Sequence, residues 1–368
     1  MGNPFLDSSR EGKSDYLTPL CSINKFKVAK LPVYNIDDEI EGLIVKEFFG
    51  VSVITNEIKK YLEKLNLQNI DSANEKNLPR LVAEKSQDLN DPEGAAVARD
   101  IMVRFGNRLG LMLLALKLGE PENRKARPEW SDEHWQYWAD VKDIILVGGL
   151  ASGIFGKILK QQVEYVFSLK GVEPYNILLY DNSSQVAVLG CASCIKEQNG
   201  VFVVMDFGQT NIKRCYISKC DGEVSEIHSL TSWPSQNMEW EIKNNDEKLR
   251  QAKELHSYLV SSIEHAYNEA KQQTNIEPGC EIIISIANYA VDGVLNNNRS
   301  GYAKLCMLGD NYADCLNYEL SGRLRKDISV KLIHDGTAVA LNFRNRKDTV
   351  CLSVGSFFGV GFPETKIV

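Results

Sequence analysis

From Pro92 onward the apolar residues Ile101, Phe105, Leu109, Met112, Leu113 and Leu116 recur at three- and four-residue intervals. That spacing predicts a long helix with a wide buried stripe. Asp91-Pro92-Glu93 is suited to its first turn and Gly119 to its end. Upstream, residues 1 to about 24 have little periodicity and read as an irregular arm, Lys25–Tyr34 reads as a strand, and Val53–Asn66 has helical spacing. After residue 142 the grammar changes. DIILV (143–147) is an apolar strand running into glycines, followed by a helix over Phe155–Ser168. NILLY (176–180) is a second strand and Gln185–Lys196 a second helix.

A fresh start follows at Val201. VFVVMD, IKRCYIS and EVSEIHSL are three strands with tight connections, then come a helix over Glu247–Lys271 and the strand EIIISIA (281–287). VKLIHDGTAVALNF holds a strand, a turn and a helix start. TVCLSVGSFFGVGF closes with a strand, a glycine-rich turn and a second strand. Strand–helix alternation of this kind predicts an α/β layered fold, and the similar opening of the two halves predicts two related lobes. The segment 119–140, charged and proline-containing with three tryptophans, reads as an exposed insertion or a partner-contacting lobe.

The 368 residues suffice for two domains with proper cores, and 25% of them are charged with a net charge of −7. An acidic chain without a basic tail is not built to bind nucleic acid. The longest apolar run, Leu109–Leu116, is far below a membrane span, and the first twenty residues lack the apolar core of a signal peptide. The nine cysteines are scattered and odd in number, which with the missing leader fits reduced thiols in the cytoplasm. The one CxxC, Cys191-Ala-Ser-Cys194, sits among small apolar residues, as on a tightly packed helix, and has no second ligand pair.

Four motifs carry candidate chemistry. Asp206-Phe-Gly-Gln-Thr-Asn-Ile-Lys213 ends an apolar strand: Gly208 lets backbone approach an anion, the exposed N–H groups of the turn and the Thr210 hydroxyl donate to it, and Asp206 can orient Mg²⁺ and its waters. An ordinary hairpin explains the same residues equally well. His334-Asp335-Gly-Thr-Ala also lies at a strand end. Asp335 is there either a helix cap or a carboxylate facing a cleft. Gly355-Ser356-Phe-Phe-Gly359-Val-Gly361 is a glycine-punctuated hairpin turn, and Gly148-Gly149 joins a strand to a helix.

Together these resemble the phosphate-1, connect, phosphate-2 and adenosine motifs of the sugar kinase, Hsp70 and actin superfamily. The closest resemblance is to the ROK family of sugar kinases, over roughly residues 91–362. The order is changed: the adenosine motif precedes phosphate-1, so the chain resembles a circular permutant with the old ends fused near Gly200. The resemblance implies a two-lobed actin-like ATPase (ribonuclease H-like) fold. Its large lobe would be 1–199 plus 347–368, with Lys25–Tyr34 pairing beside Thr349–Val354, and its small lobe 200–346.

It further implies an ATP- and Mg²⁺-dependent phosphotransferase acting on a hydroxyl of a sugar-like molecule. Asp335 would be the catalytic base, Asp206 the Mg²⁺ anchor through water, and Gly208, Gln209, Thr210, Asn211, Lys213, Gly355, Ser356, Gly359, Gly148 and Gly149 the nucleotide contacts. His334, Asn288 and Asn311 would meet the substrate. Nucleotide and small molecule are the implied partners, with a homodimer allowed. The family's zinc cluster and its Glu-x-x-His sugar clamp have no counterpart in the sequence, so no structural zinc is expected. His334 replaces an asparagine, Phe357 and Val360 replace small residues, and Asn288-Tyr289 replaces Pro-Gly. These departures support an alternative, a catalytically impaired nucleotide- or sugar-binding regulator of the same fold.

Overall fold

The computed structural model describes residues 2–9, 11–69, 75, 77–180, 185–236, 244–297, 301–355 and 357–368. In chain order its elements are β1 (Leu6–Asp7), β2 (Tyr16–Leu17), α1 (Val45–Phe48), α2 (Val51–Lys59), α3 (Leu78–Lys85), α4 (Pro92–Leu118), α5 (Pro121–Lys125), α6 (Asp132–Asp140), β3 (Asp143–Val147), α7 (Gly153–Lys170), β4 (Asn176–Leu179) and α8 (Val186–Ala192). They continue with β5 (Gly200–Phe207), β6 (Asn211–Cys220), β7 (Glu223–Pro234), α9 (Asn245–Thr274), β8 (Glu281–Ile286), β9 (Ala290–Val291), β10 (Val294–Leu295), α10 (Tyr312–Leu324), β11 (Ser329–His334), α11 (Asp335–Ala340), β12 (Thr349–Val354) and β13 (Phe358–Gly361). The protein is mixed α/β and divides into two units, one of residues 1–5, 20–184 and 346–360, the other of 6–19, 185–345 and 361–368. No described helix is long and apolar enough to cross a membrane.

The first unit is built on a four-stranded sheet in the order β13-β12-β3-β4, with β12, β3 and β4 parallel. Its strands are apolar at successive positions because helices of α/β units cover both faces of a parallel sheet. Helix α4 runs as the spacing requires. All six stripe residues are buried, the Asp91 side chain caps it by accepting the Gly94 N–H at 2.9 Å, and Gly119 ends it in the left-handed region at φ 51°. Gly106 and Gly110 bring α4 against α7: a Cβ at Gly106 would stand 2.6 Å from the Cβ of Gln162.

Two sequence expectations fail in this unit. Lys25–Tyr34 is not a strand: it makes one isolated bridge, Lys27–Ile44, and the sheet neighbours of β12 are β13 and β3. Its apolar residues Phe26, Val28 and Leu31 are buried without a strand ladder, Phe26 stacking on Trp130 with ring centroids 6.5 Å apart. Nor is segment 119–140 an exposed insertion. It folds as α5 and α6 and buries Trp130, Trp135 and Trp138, with Arg127 lying 4.4 Å over the Trp130 ring.

The second unit holds a five-stranded sheet in the order β11-β8-β5-β6-β7. β11, β8 and β5 are parallel, while β5, β6 and β7 form an antiparallel meander. Side chains alternate across a strand. Val203, Met205 and Phe207 of β5, with Ile282, Ile284 and Ile286 of β8, therefore share a core with Leu255, Leu259 and Ile263 of α9 and Leu316 and Leu320 of α10. Asp206 and Ser285 alternate out of that core, and α8 packs on β5 and β8. Helix α8 ends at Ala192, earlier than its sequence predicts.

Candidate active site

Strand register assembles the centre of the site. Asp206 on β5 lies opposite Lys213 on β6 and opposite Ser285 on β8, so the three stand side by side in one row. The Ser285 hydroxyl donates to Asp206 Oδ1 at 2.7 Å and the Lys213 ammonium to Oδ2 at 2.8 Å. Asp206 is only 7% exposed, and a buried carboxylate without such partners would be severely penalised. The Asp206 charge in turn holds the Lys213 ammonium above its ordinary pKa.

The turn after Asp206 is a tight hairpin. The Gly208 N–H donates to the Asn211 carbonyl at 3.1 Å, so this amide is engaged within the turn. The Gly208 carbonyl accepts two hydroxyls, Tyr302 at 2.8 Å and Ser235 at 2.7 Å. The Ser235 N–H donates to the Thr210 carbonyl. These bonds fix the turn while leaving Thr210 and Asn211 exposed and Gln209 half-buried.

His334 and Asp335 lie where β11 passes into α11. His334 is the cap residue, its Nδ1 accepting the Thr337 N–H at 3.3 Å, while its ring stacks flat on Tyr289 with centroids 4.6 Å apart. Its Nε2 stands 3.1 Å from Asp335 Oδ1, which also accepts the Gly336 N–H at 2.7 Å. The Asp335 side chain is 36% exposed. Burial raises the Asp335 carboxyl above its ordinary value, His334 draws it down, and the negative charge of Asp206 pushes it up again. Short helix α11 is clamped by two glycines. A Cβ at Gly190 would lie 1.7 Å from the Ala338 carbonyl oxygen, and one at Gly361 would lie 1.9 Å from that of Gly336.

The remaining predicted residues are placed as follows. Asn288 is clasped to Asn296 in both directions, at 3.0 and 2.9 Å. Asn311 caps α10 through the Ala313 N–H and donates to the Asp292 carbonyl; it lines a cavity of about 190 Å³ with Asp292, Asp314 and Lys331. In the first unit Gly148, at φ 106°, touches β12 so closely that a Cβ would lie 2.4 Å from the Val354 carbonyl oxygen. Gly149 has open space at that position, the Gly355 carbonyl accepts the Val51 N–H, and Gly359 lies in β13. Ser356 lies outside the described residues. The second unit thus brings Asp206, Lys213 and Asp335 into electrostatic contact, while Asn288 and Asn311 serve local structure.

Sequence reasoning missed Ser285, Tyr302, Ser235 and Gly190. Ser285 carried a readable signal, a lone hydroxyl in the apolar run IIISIA. The others contact their partners only through tertiary packing. Cys191 is buried in α8 near the Asp206 row, and burial pushes its thiol well up. Among the described residues no group of three metal-ligating side chains converges. Asp206 already accepts a donor at each oxygen, so its remaining lone pairs fit the waters of a hydrated cation better than direct ligation.

No family model matches the chain, and no curated protein matches it. Among solved structures, an exopolyphosphatase-like protein aligns with a TM-score of 0.25 at 9% identity, covering 66% of this chain and 87% of that one. A likeness of that size identifies neither a family nor an activity for this chain.

Proposed function

We propose that the chain is an ATP-dependent phosphotransferase acting on a hydroxyl of a sugar-like small molecule, in a circularly permuted, ROK-like form of the actin-like ATPase fold. The observation that carries this reading is the pairing of two chemically different carboxylates at the ends of parallel strands β5 and β11, where open α/β sheets bind ligands. Asp206 accepts hydrogen bonds from the Lys213 ammonium and the Ser285 hydroxyl, while Asp335 is partly exposed and held above the ordinary carboxyl value. Two carboxyls set apart by their surroundings are suited to different roles. A meander of three strands followed by two strands parallel to the first also suits a ribonuclease H-like lobe. The proposed inherited lobes are 1–199 with 347–368 and 200–346; the observed units differ from them at α8 and at residues 6–19 and 361–368.

In this reading Asp335 orients the acceptor hydroxyl and takes its proton, and a raised pKa makes it the stronger base. Lys213 brings fixed positive charge to the phosphates, and Asp206 anchors the waters of Mg²⁺. That ion, when bound, neutralises phosphate charge. Gly208, Gln209, Thr210 and Asn211 border the phosphates of the nucleotide. The proposed setting is the cytoplasm, with a homodimer compatible. Asp335→Asn is expected to lower kcat by on the order of 10²- to 10⁴-fold while sparing affinity for a non-hydrolysable ATP analogue. Unchanged turnover, measured with a panel of hexoses and amino sugars, contradicts the assignment.

A second reading, a nucleotide- or sugar-binding regulator without turnover, is favoured by one observation: both Asp206 oxygens are already engaged. Calorimetric titration separates the two. Nucleotide affinity that tightens with one sugar supports the enzyme, and affinity indifferent to every sugar supports the regulator.

A further inference from the structure

We propose that an acidic cavity in the first unit binds a flexible organic polycation of the polyamine class. The cavity, about 520 Å³, lies between residues 35–39 and the face of α4 that carries Asp100, Val103, Arg104 and Asn107. Those four stand at i, i+3, i+4 and i+7, so one side of the helix forms the wall. Asp37, Asp38, Glu39 and Asp100 bring four carboxylates to the lining, against one guanidinium, that of Arg104. Arg104 is spent on Asp37, Glu39 and Glu57, and Arg108 pairs with Asp37 at 2.6 Å. Among the described residues Asp38 and Asp100 have no basic partner, so negative charge remains in excess after the ion pairs are made.

Charge alone would mark a solvated face; buried acceptors distinguish this one. Asn107 is only 9% exposed, its side chain makes no hydrogen bond among the described residues, and its Oδ1 is fully buried. Asp37 is 6% exposed; its Oδ2 accepts from both Arg104 and Arg108, and its Oδ1 from no described group. A buried acceptor without a donor costs stability. Two of them in one acidic lining suit a primary ammonium, which brings three N–H donors and a positive charge. The charge is also spread out: among the described residues no three metal-ligating side chains converge as a single ion requires. Asp100 and Asn107 stand about 10 Å apart along the axis of α4. Ammonium groups separated by methylenes match that spread, the inner one at Asp37 and Asn107 and the outer one at Asp100. Ile36 and Val103 line the same cavity and offer apolar surface to the methylenes.

Calorimetric titration of the full chain at low salt, without ATP or Mg²⁺, compares spermidine, putrescine and propylamine. Spermidine should bind about 10-fold more tightly than propylamine, with putrescine between them, and its affinity should fall as added salt screens the carboxylates. Asp100→Asn at the rim and Asn107→Leu at the buried end should each weaken spermidine by about 5- to 10-fold. Asn107→Leu should do so with its urea midpoint unchanged or raised, because an apolar group replaces an unpaired amide. Asp100 is exposed, so its variant folds and reads the cavity whatever Asn107→Leu does to stability. Asp335→Asn should leave spermidine affinity unchanged, which makes the result independent of the function proposed above. Equal affinity for spermidine and propylamine, an affinity unmoved in Asp100→Asn and Asn107→Leu, or Ca²⁺ or poly-lysine bound in place of spermidine overturns the proposal.

Discussion

Asp206 Oδ2 and Lys213 Nζ meet at 2.8 Å because the antiparallel register of β5 and β6 sets these two residues directly opposite each other. Seven positions apart in the chain, they are joined by a turn whose own carbonyl is held by two hydroxyls. The contact therefore depends on a register that the turn enforces, and a slip of β6 by one residue would put Lys213 on the face opposite Asp206.

Lys213→Met should leave the nearly buried Asp206 with Ser285 as its one side-chain donor among the described residues and lower stability by about 1–3 kcal/mol. Adding Asp206→Asn should recover most of that loss, because no uncompensated charge then remains. Urea unfolding of the four species of the double-mutant cycle measures this; additive losses would contradict a coupled pair.

The Asp335 carboxyl is raised in the fold, so the folded chain keeps that proton to higher pH than the unfolded chain. Below the ordinary aspartate value both states are protonated and the group costs no stability. As pH rises past that value the unfolded state ionises first, and stability declines until the folded carboxyl ionises as well. Asp335→Asn removes the ionisation. The variant should melt higher than the parent near neutral pH and match it at about pH 3, despite its loss of turnover. A lower melting temperature at neutral pH would contradict the burial argument.

His134, His256 and His334 are each held below the ordinary histidine value by burial. Here the sign reverses. As pH falls below about 6.5 the unfolded chain takes up protons that the folded chain refuses, so stability declines from there downward. Urea midpoints compared at about pH 7.5 and 5.5 should show the fall, and His256→Gln should make it shallower. A midpoint that rises on acidification would count against neutral buried rings.

Gly190→Ala and Gly361→Ala each drive a methyl into a backbone carbonyl of α11 and should destabilise by about 1–3 kcal/mol. Because α11 begins with Asp335, turnover should fall in both. Gly148→Ala should also be costly, since the residue combines a left-handed backbone with contact to Val354. Gly149→Ala meets open space and should change stability by less than about 0.5 kcal/mol. Thermal unfolding of the four variants orders them, and equal losses at Gly148 and Gly149 would refute the packing account.

Much of the architecture was legible because local periodicity and burial agree. The stripe of α4, its Asp91 cap and Gly119 stop, and the apolar strands β3, β5, β8 and β12 all read directly from spacing. The failures have a common cause. Phe26 and Val28 alternate with lysines like a strand, but Phe26 is buried against Trp130, a ring far along the chain. The charged surroundings of Trp130, Trp135 and Trp138 hid three buried indoles. At the candidate site Asp206, Lys213 and Asp335 were visible as strand-end residues. Ser285, Tyr302 and Gly190 matter only through register and close approach, which no local pattern encodes.

The tryptophan placement gives the protein a built-in optical reporter. Trp130, Trp135 and Trp138 are buried in the first unit, whereas Trp233, tilted against Tyr258 and His265, is the described tryptophan of the second. Indole fluorescence should therefore be weighted toward short wavelengths and shift to the red mainly when the first unit opens. Circular dichroism in the peptide region instead follows the helices of both units. If the units unfold independently, the two signals will have different denaturant midpoints, and coincident curves would mean that they melt together.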